Sequence, residues 1–338
     1  MGKQYDCVDA AKLILSLFVV AIHTKPFHSA LFPVARLAVP VFFIFTGFFS
    51  FVKIGSTPLS QQKKTLWDIE KRYLKLYLFW FIVLLPFTLH TRQYHTYHFL
   101  DFAAVFIRDL LWGSTFQASW YLMACVLGIA IVFYLSKASQ LLLVSMGISF
   151  YFLATCVSKY HLIITDNSTL NLLYSVTSRL TGSPYNNVCI AIPYIIIGKM
   201  IAEEKFRHFR QAHSILGFLI CYLALLCEFY LAKHHSWFCY HCDCWFMLAP
   251  TAIFFVLSVL SLNIRIPKHG IMRSMSTVIY CSHLAIVTVV TKGLSVCKIA
   301  DKQNVLLFTL TVICAVVLSL VIFRLEKISK LQFLKHSH

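Results

Sequence analysis

The sequence predicts an all-α protein, a polytopic helical bundle integral to a membrane, organised as a single domain over residues 1–338. Three observations predict it. First, 59% of the residues are hydrophobic and 13% are charged, against roughly 25% charged in ordinary soluble domains; too little polar surface remains for a water-soluble enzyme. Second, apolar runs recur from end to end, each near the roughly 20 residues of helix that cross a hydrocarbon core of about 30 Å. Third, 30 Lys plus Arg stand against 13 Asp plus Glu, a formal charge of +17. In a chain this apolar, that surplus marks the cytoplasmic edges of helices facing anionic lipid and argues against a nucleic-acid partner.

The apolar runs predict about ten transmembrane helices, at 9–27, 32–52, 72–90, 119–136, 138–158, 184–202, 212–232, 244–263, 276–296 and 304–324. The first is followed by His23-Thr24-Lys25-Pro26 and not by a small-residue cleavage site, so it is expected to remain as a helix. The second begins beside Arg36, and the third is entered through Lys71, Arg72 and Lys75. Only Lys137 separates the fourth from the fifth, a tight hairpin. The seventh holds Glu228, a carboxylate deep in an apolar run that should pair with a cation or stay protonated. The ninth carries Ser276, Tyr280 and His283, and the tenth ends at Arg324. Gly55 to Glu70 reads as an inner interfacial segment, and Thr91 to Phe116 as an outer one. Its Tyr94, His95, Tyr97, His98 and Trp112 could stack on sugar faces or form an interfacial aromatic belt. An even number of crossings puts both termini on one side. With the N-terminus inside, nineteen of the 30 basic residues fall on the inner side and ten on the outer, Lys12 lying within the first span. The expected topology is N-in, C-in, in the inner (plasma) membrane.

Ionisable residues inside a membrane cost a few kcal/mol each and are candidate functional groups. Lys12 and His23 are eleven residues apart, about 20° past three full turns and about 16 Å along a helix, with Ser16 between them. This polar stripe either faces a polar cavity or is a snorkelling Lys with an interfacial His. Asp9, one turn earlier, could neutralise Lys12. Lys71, Arg72 and Lys75 fan over one side of a helix at i, i+3 and i+4 spacings. They form either a grip for a polyphosphate or a plain positive-inside flank. Ser276, Tyr280 and His283 at offsets 0, +4 and +7 share another face. No glycine-rich phosphate loop is present. Between the seventh and eighth spans, His234-His235 and Cys239, His241, Cys242 and Cys244 crowd one outer segment. A disulfide, a metal site and a plain loop are all compatible with that spacing, although so compact a cluster lacks the distant second pair of a relaxed tetrahedral site. No metal is expected.

The opening run Val8-Asp9-Ala10-Ala11-Lys12 with Ala21-Ile22-His23-Thr24, the segment Arg36-Leu37-Ala38-Val39-Pro40-Val41-Phe42-Phe43 through Thr46-Gly47-Phe48, Arg72-Tyr73-Leu74-Lys75, Trp120-Tyr121-Leu122, Pro193 to Gly198, and Ser276 to His283 follow one another in this order. As an ordered set they resemble the membrane acyltransferase 3 family, multi-helix enzymes that move an acyl group onto a hydroxyl. Lys75 stands where the family has Arg, and Thr46 where it has Ser. The stretch from Glu228 through Phe246-Met247-Leu248-Ala249-Pro250-Thr251 is similar to the membrane half of vancomycin-resistance serine racemases. In those proteins a soluble racemase follows; this sequence stops at His338, and no racemase activity can be inferred from it.

The resemblance implies acetyl-CoA as acyl donor, His23 as the essential catalytic residue, and Arg72 and Lys75 as donor-binding residues, with Lys71 beside them. Lys12 would lend positive potential to the donor channel. Arg36, Trp120, Glu228, Tyr280 and His283 are the candidate substrate-binding residues. The expected reaction moves an acetyl group from cytoplasmic acetyl-CoA to a hydroxyl of a cell-envelope glycan or lipid-linked sugar, with His23 as base or acyl relay. Two other classes remain: an amino-acid (serine-like) carrier without covalent chemistry, whose usual repeated broken helices are not seen in the sequence, and an inert membrane partner.

Overall fold

The computed structural model describes residues 5–26, 32–91, 98–112, 115–116, 119–159, 168–181, 188–206, 208–235, 244–299 and 304–338. Among these residues there is no strand. Thirteen α-helices follow in order: α1 Asp6–Thr24, α2 Phe32–Ala35, α3 Ala38–Gly55, α4 Gln62–Thr91, α5 Phe99–Trp112, α6 Ser119–Ala138, α7 Gln140–Lys159, α8 Ser168–Thr181, α9 Val188–Ala202, α10 Gln211–His234, α11 Leu248–Ser261, α12 His269–Val296 and α13 Val305–Leu325. A 3-10 segment, Leu59–Gln61, precedes α4, and a second, Ser329–Ser337, follows α13.

Seven described stretches are long and apolar enough to cross a membrane: α1, Phe32–Gly55, Leu59–Leu89, α6, α10, α12 and α13. Three shorter apolar helices, Gln140–Cys156, Cys189–Ala202 and Leu248–Ser261, fall on the other three expected spans. The protein is a polytopic helical membrane protein. Its outward faces fit lipid: Leu141, Ile148, Val289 and Ile313 are all exposed, and an exposed apolar surface of this extent is expensive only against water.

Four expectations need correction. The second span is two helices, because the chain turns at Arg36 and Leu37 and the Leu37 N–H bonds back to the Val34 carbonyl (3.1 Å). The segment up to Glu70 is not a separate interfacial stretch, since α4 starts at Gln62 and carries its polar first turns out of the apolar zone. The fourth and fifth spans do form a hairpin, but it turns at Ser139 and not Lys137: the Ser139 hydroxyl accepts the Leu142 N–H (3.2 Å) and caps α7. Two helices lie outside the expected spans, α5 and α8. At 14 residues each they are as short as α11, and they are not among the apolar stretches that match the expected spans. Arg108 of α5 reaches the Arg179 carbonyl of α8 (3.5 Å) while its guanidinium grips Asp109 (2.7 Å).

Two helix pairs position the interior. Helices α3 and α9 cross backbone to backbone: a Cβ on Gly198 would collide with the backbones of Ile44, Phe48 and Gly47, and one on Gly47 would meet the Ile195 carbonyl at 2.5 Å. Glycine is required at both positions by this approach. Helices α1 and α12 run parallel, with residues about 260 apart side by side. Asp6 accepts the Ile266 N–H (3.1 Å), Asp9 meets His269 (2.7 Å), the Ser276 hydroxyl donates to the Lys12 carbonyl (2.9 Å), and the rings of His23 and His283 lie 5.1 Å apart. A left-handed Lys25 (φ 51°), whose N–H bonds the Ala21 carbonyl, closes α1 just before Pro26.

Candidate functional site

Between α1, α3, α4, α6, α12 and the Ser329–Ser337 segment lies a cavity of about 870 Å³. Its charged end is built by the last turn of α3 (Lys53), the early turns of α4 (Lys71, Arg72, Lys75) and the early turns of α12 (Arg273). Asp9 is already engaged there, by His269 and by Arg273 (3.6 Å); two buried aspartates this close to lipid need such partners. Lys12 also lines the cavity, its ammonium 5.1 Å from the Phe49 ring and 5.7 Å from that of Phe45. Among the described residues it has no carboxylate at ion-pair distance; Asp9, engaged by α12, acts on it through its charge.

Deeper in, the lining turns polar and aromatic. The Thr46 hydroxyl on α3 sits 2.9 Å from the Tyr121 hydroxyl on α6 and takes a bond from the Tyr73 hydroxyl on α4 (3.3 Å). Tyr121 packs edge-on against Tyr280 at 5.2 Å, and Phe42 does so at 5.9 Å. Beyond that collar is the histidine pair. His283 is buried; its Nδ1–H donates to the Tyr280 carbonyl (2.6 Å), which leaves the Nε2 lone pair, buried and without a hydrogen-bond partner among the described residues, on the other edge of the ring. His23, at the end of α1, is exposed on its far side. Arg273 to His283 is ten residues of α12, about 15 Å along the helix, so charged end and histidine pair sit at opposite ends of one polar seam.

The expected donor-binding residues Lys71, Arg72 and Lys75 thus meet Lys12 and Tyr280 in one cavity. Neither His23 nor His283 lines it; the His283 ring centroid is 6.0 Å from that of Tyr280, which does. Ser16 leaves the stripe, since it is buried and donates to the Leu13 carbonyl (2.7 Å) of its own helix. Arg36 lies outside the cavity, its guanidinium over the Phe32 ring (4.5 Å) and within electrostatic range of His23. Trp120 packs on Phe43 (5.9 Å) while its neighbour Tyr121 takes the lining position. Glu228 is also remote from the cavity: its two oxygens accept the N–H groups of Phe246 and Met247 (2.8 Å each) and so fix the start of α11. Tyr94, His95, Tyr97, Cys239 and Cys242 lie outside the described residues; Cys244 is buried.

Arg273, Lys53, Lys335, Tyr73 and Tyr121 are cavity residues that the sequence reading did not select. One signal was available. His269, Arg273, Ser276, Tyr280 and His283 are spaced 4, 3, 4 and 3, a single helical stripe that a helix begun at Ser276 cuts in half.

The family described as "Acyltransferase domain" matches residues 5–324, which takes in every helix described above apart from the last residue of α13. This chain belongs to that acyltransferase family. Relatives of this acyltransferase-family protein include an amino-acid racemase of Enterococcus faecalis, 26% identical over 251 residues that make up 70% of this chain and 34% of the relative. A serine/alanine racemase of Enterococcus gallinarum is 22% identical over 75% of the chain and 36% of the relative. A further amino-acid racemase of Enterococcus faecalis is 25% identical over 97% of the chain and 47% of the relative. The chain thus spans between a third and a half of the length of these proteins. No solved structure matches it.

Proposed function

We propose that this membrane acyltransferase moves an acetyl group from cytoplasmic acetyl-CoA to a hydroxyl of a cell-envelope glycan or lipid-linked sugar. The observation that carries the reading is the cavity itself, which gathers Lys53, Lys71, Arg72, Lys75 and Arg273 at one end and is lined further along α12 by Tyr280, against which His283 of the His23–His283 pair lies. Cations from three helices suit the phosphates of a coenzyme that cannot enter lipid. The pantetheine arm then lies past Thr46, Tyr121 and Tyr280, and its thioester reaches the histidines from the inner side. The acceptor reaches them from the outer side, where His23 is open.

His23 takes the proton of the acceptor hydroxyl as that oxygen attacks the thioester carbonyl. The tetrahedral adduct collapses with cleavage of the carbon–sulfur bond, and the leaving thiolate recovers the proton. The products are the acetyl ester and free CoA. His283, its tautomer set by the Tyr280 carbonyl, presents a lone pair toward the neighbouring ring and acts as the positioning residue. Lys12, which lines the cavity about 16 Å along α1 from His23, lends positive potential to the donor channel. The acyl group crosses while the coenzyme stays inside.

The test is transfer of labelled acetyl from acetyl-CoA into envelope glycans and lipids of membranes bearing wild type or His23→Ala. A general base is worth about 10² to 10⁴ in rate, and a loss of that size with the protein still folded is expected. Undiminished transfer by His23→Ala would overturn the role of His23. Membranes without acetyl transfer but with protein-dependent amino-acid uptake would favour the carrier.

A further inference from the structure

The cavity has a wall that belongs to none of the membrane helices. Residues 329–338 fold back beneath α4 and bring Lys335, His336 and His338 to its charged end. The segment is fastened there. The buried indole N–H of Trp80 on α4 donates to the Ser337 carbonyl (2.9 Å), Phe333 packs on Phe79 (6.4 Å between centroids), and His338 packs on Phe323 (5.1 Å) with its Nε2 3.4 Å from Glu326. It lies close to Arg72: burial chiefly, and then the Arg72 charge, lowers the pKa of His338, with Glu326 acting in the opposite direction.

This arrangement adds positive charge to a surface that already carries Lys53, Lys71, Arg72, Lys75 and Arg273. Among the described residues, the side-chain carboxylates lining the same cavity are those of Asp9, engaged by α12, and Asp68. Bringing like charges together costs energy unless something of opposite sign lies between them. An anion with several charges, held from both sides, supplies it.

We propose that residues 329–338 form part of the donor site and that Lys335 contacts a phosphate of the acyl-CoA. The inference rests on the acyltransferase reading above and extends it to a segment beyond the last membrane helix. Trp80 is the positioning residue, acting through the Ser337 carbonyl.

Binding of acetyl-CoA to the purified full chain in lipid nanodiscs tests it. Lys335 is exposed, so its substitution should leave the melting temperature unchanged. Lys335→Ala is expected to weaken binding about fivefold, the upper range for an exposed charge pair. Lys335→Glu should weaken it further, Lys335→Arg should restore it, and the gap between Lys335→Ala and wild type should narrow in high salt. Trp80→Phe should reproduce the loss and add little to Lys335→Ala. If wild type binds acetyl-CoA and Lys335→Ala and Lys335→Glu bind it equally well, the segment is no part of the site. If wild type binds no acetyl-CoA, the donor assignment itself falls, and this inference with it.

Discussion

His283 shows how one backbone carbonyl can set the chemistry of a side chain. With Nδ1 committed to the Tyr280 carbonyl, the ring has a single orientation and tautomer, and its other nitrogen is held out of reach of water beside His23. His283→Ala is therefore expected to lower kcat roughly tenfold to a hundredfold, less than His23→Ala because it removes positioning and not the base, with little change in KM for the donor. Steady-state kinetics with a pH–rate profile would check this; a pure KM effect would place His283 among donor contacts instead. Lys12, Arg72, Lys75 and Tyr280 meet at one cavity, and His23 and His283 are paired. All of these stood out in the sequence because a polar side chain in or beside a membrane costs enough to need a role, and because they fall in segments that resemble the acyltransferase family. Glu228 stood out for the same reason, yet its role is to hold backbone N–H groups of Phe246 and Met247. Cost flags a residue without saying which job repays it. Thr46, Tyr73 and Tyr121 were illegible because hydroxyls on aromatic and small side chains are commonplace in such helices, and only the meeting of α3, α4 and α6 makes them a cluster.

The helices were largely readable, their ends less so. Hydropathy marks the stretch inside lipid, whereas α4 and α12 continue a further ten and seven residues toward their N-termini, from 72 back to 62 and from 276 back to 269. Those extensions project beyond the apolar zone and supply Lys71, His269 and Arg273, so the boundary error fell on the site itself. The short helices α5 and α8 are amphipathic, and they went unread because the uniform hydropathy that marks a crossing does not register a helix apolar on one face only. The α3–α9 crossing gives a sharp test at this scale. Gly198→Ala sets a methyl against the backbone of Ile44 and Phe48 and should destabilise by about 1–3 kcal/mol. Gly293→Ala, where an added Cβ meets nothing within 4 Å, should be neutral or stabilising by up to about 1 kcal/mol. Thermal unfolding in detergent distinguishes them, and equal melting temperatures would contradict the close approach.

For the whole molecule, two helices that run parallel from the same side, as α1 and α12 do, require an odd number of crossings between them; the ten expected spans put seven there. Ten crossings with the N-terminus inside satisfy this. Cysteines placed at Lys205 and at Ile299, with native thiols blocked beforehand, should react differently with an impermeant maleimide on intact cells: position 299 at once, position 205 only after permeabilisation. The reverse pattern would invert the topology and put the cationic end of the cavity outside, away from any cytoplasmic donor.

The pairing of α1 with α12 also dictates when the protein can begin to work during its synthesis. Asp6 and Asp9 enter the bilayer with α1, but His269 and Arg273 are made about 260 residues later. Until then the nascent chain carries buried carboxylates with no partners from α12, and a Lys12 and a His23 with nothing to act beside. A nascent chain halted anywhere before α12 should thus be both inactive and a ready target for membrane quality control. Two separately expressed pieces divided at the loop after α9 should regain activity only when α12 from the second can dock on α1 of the first.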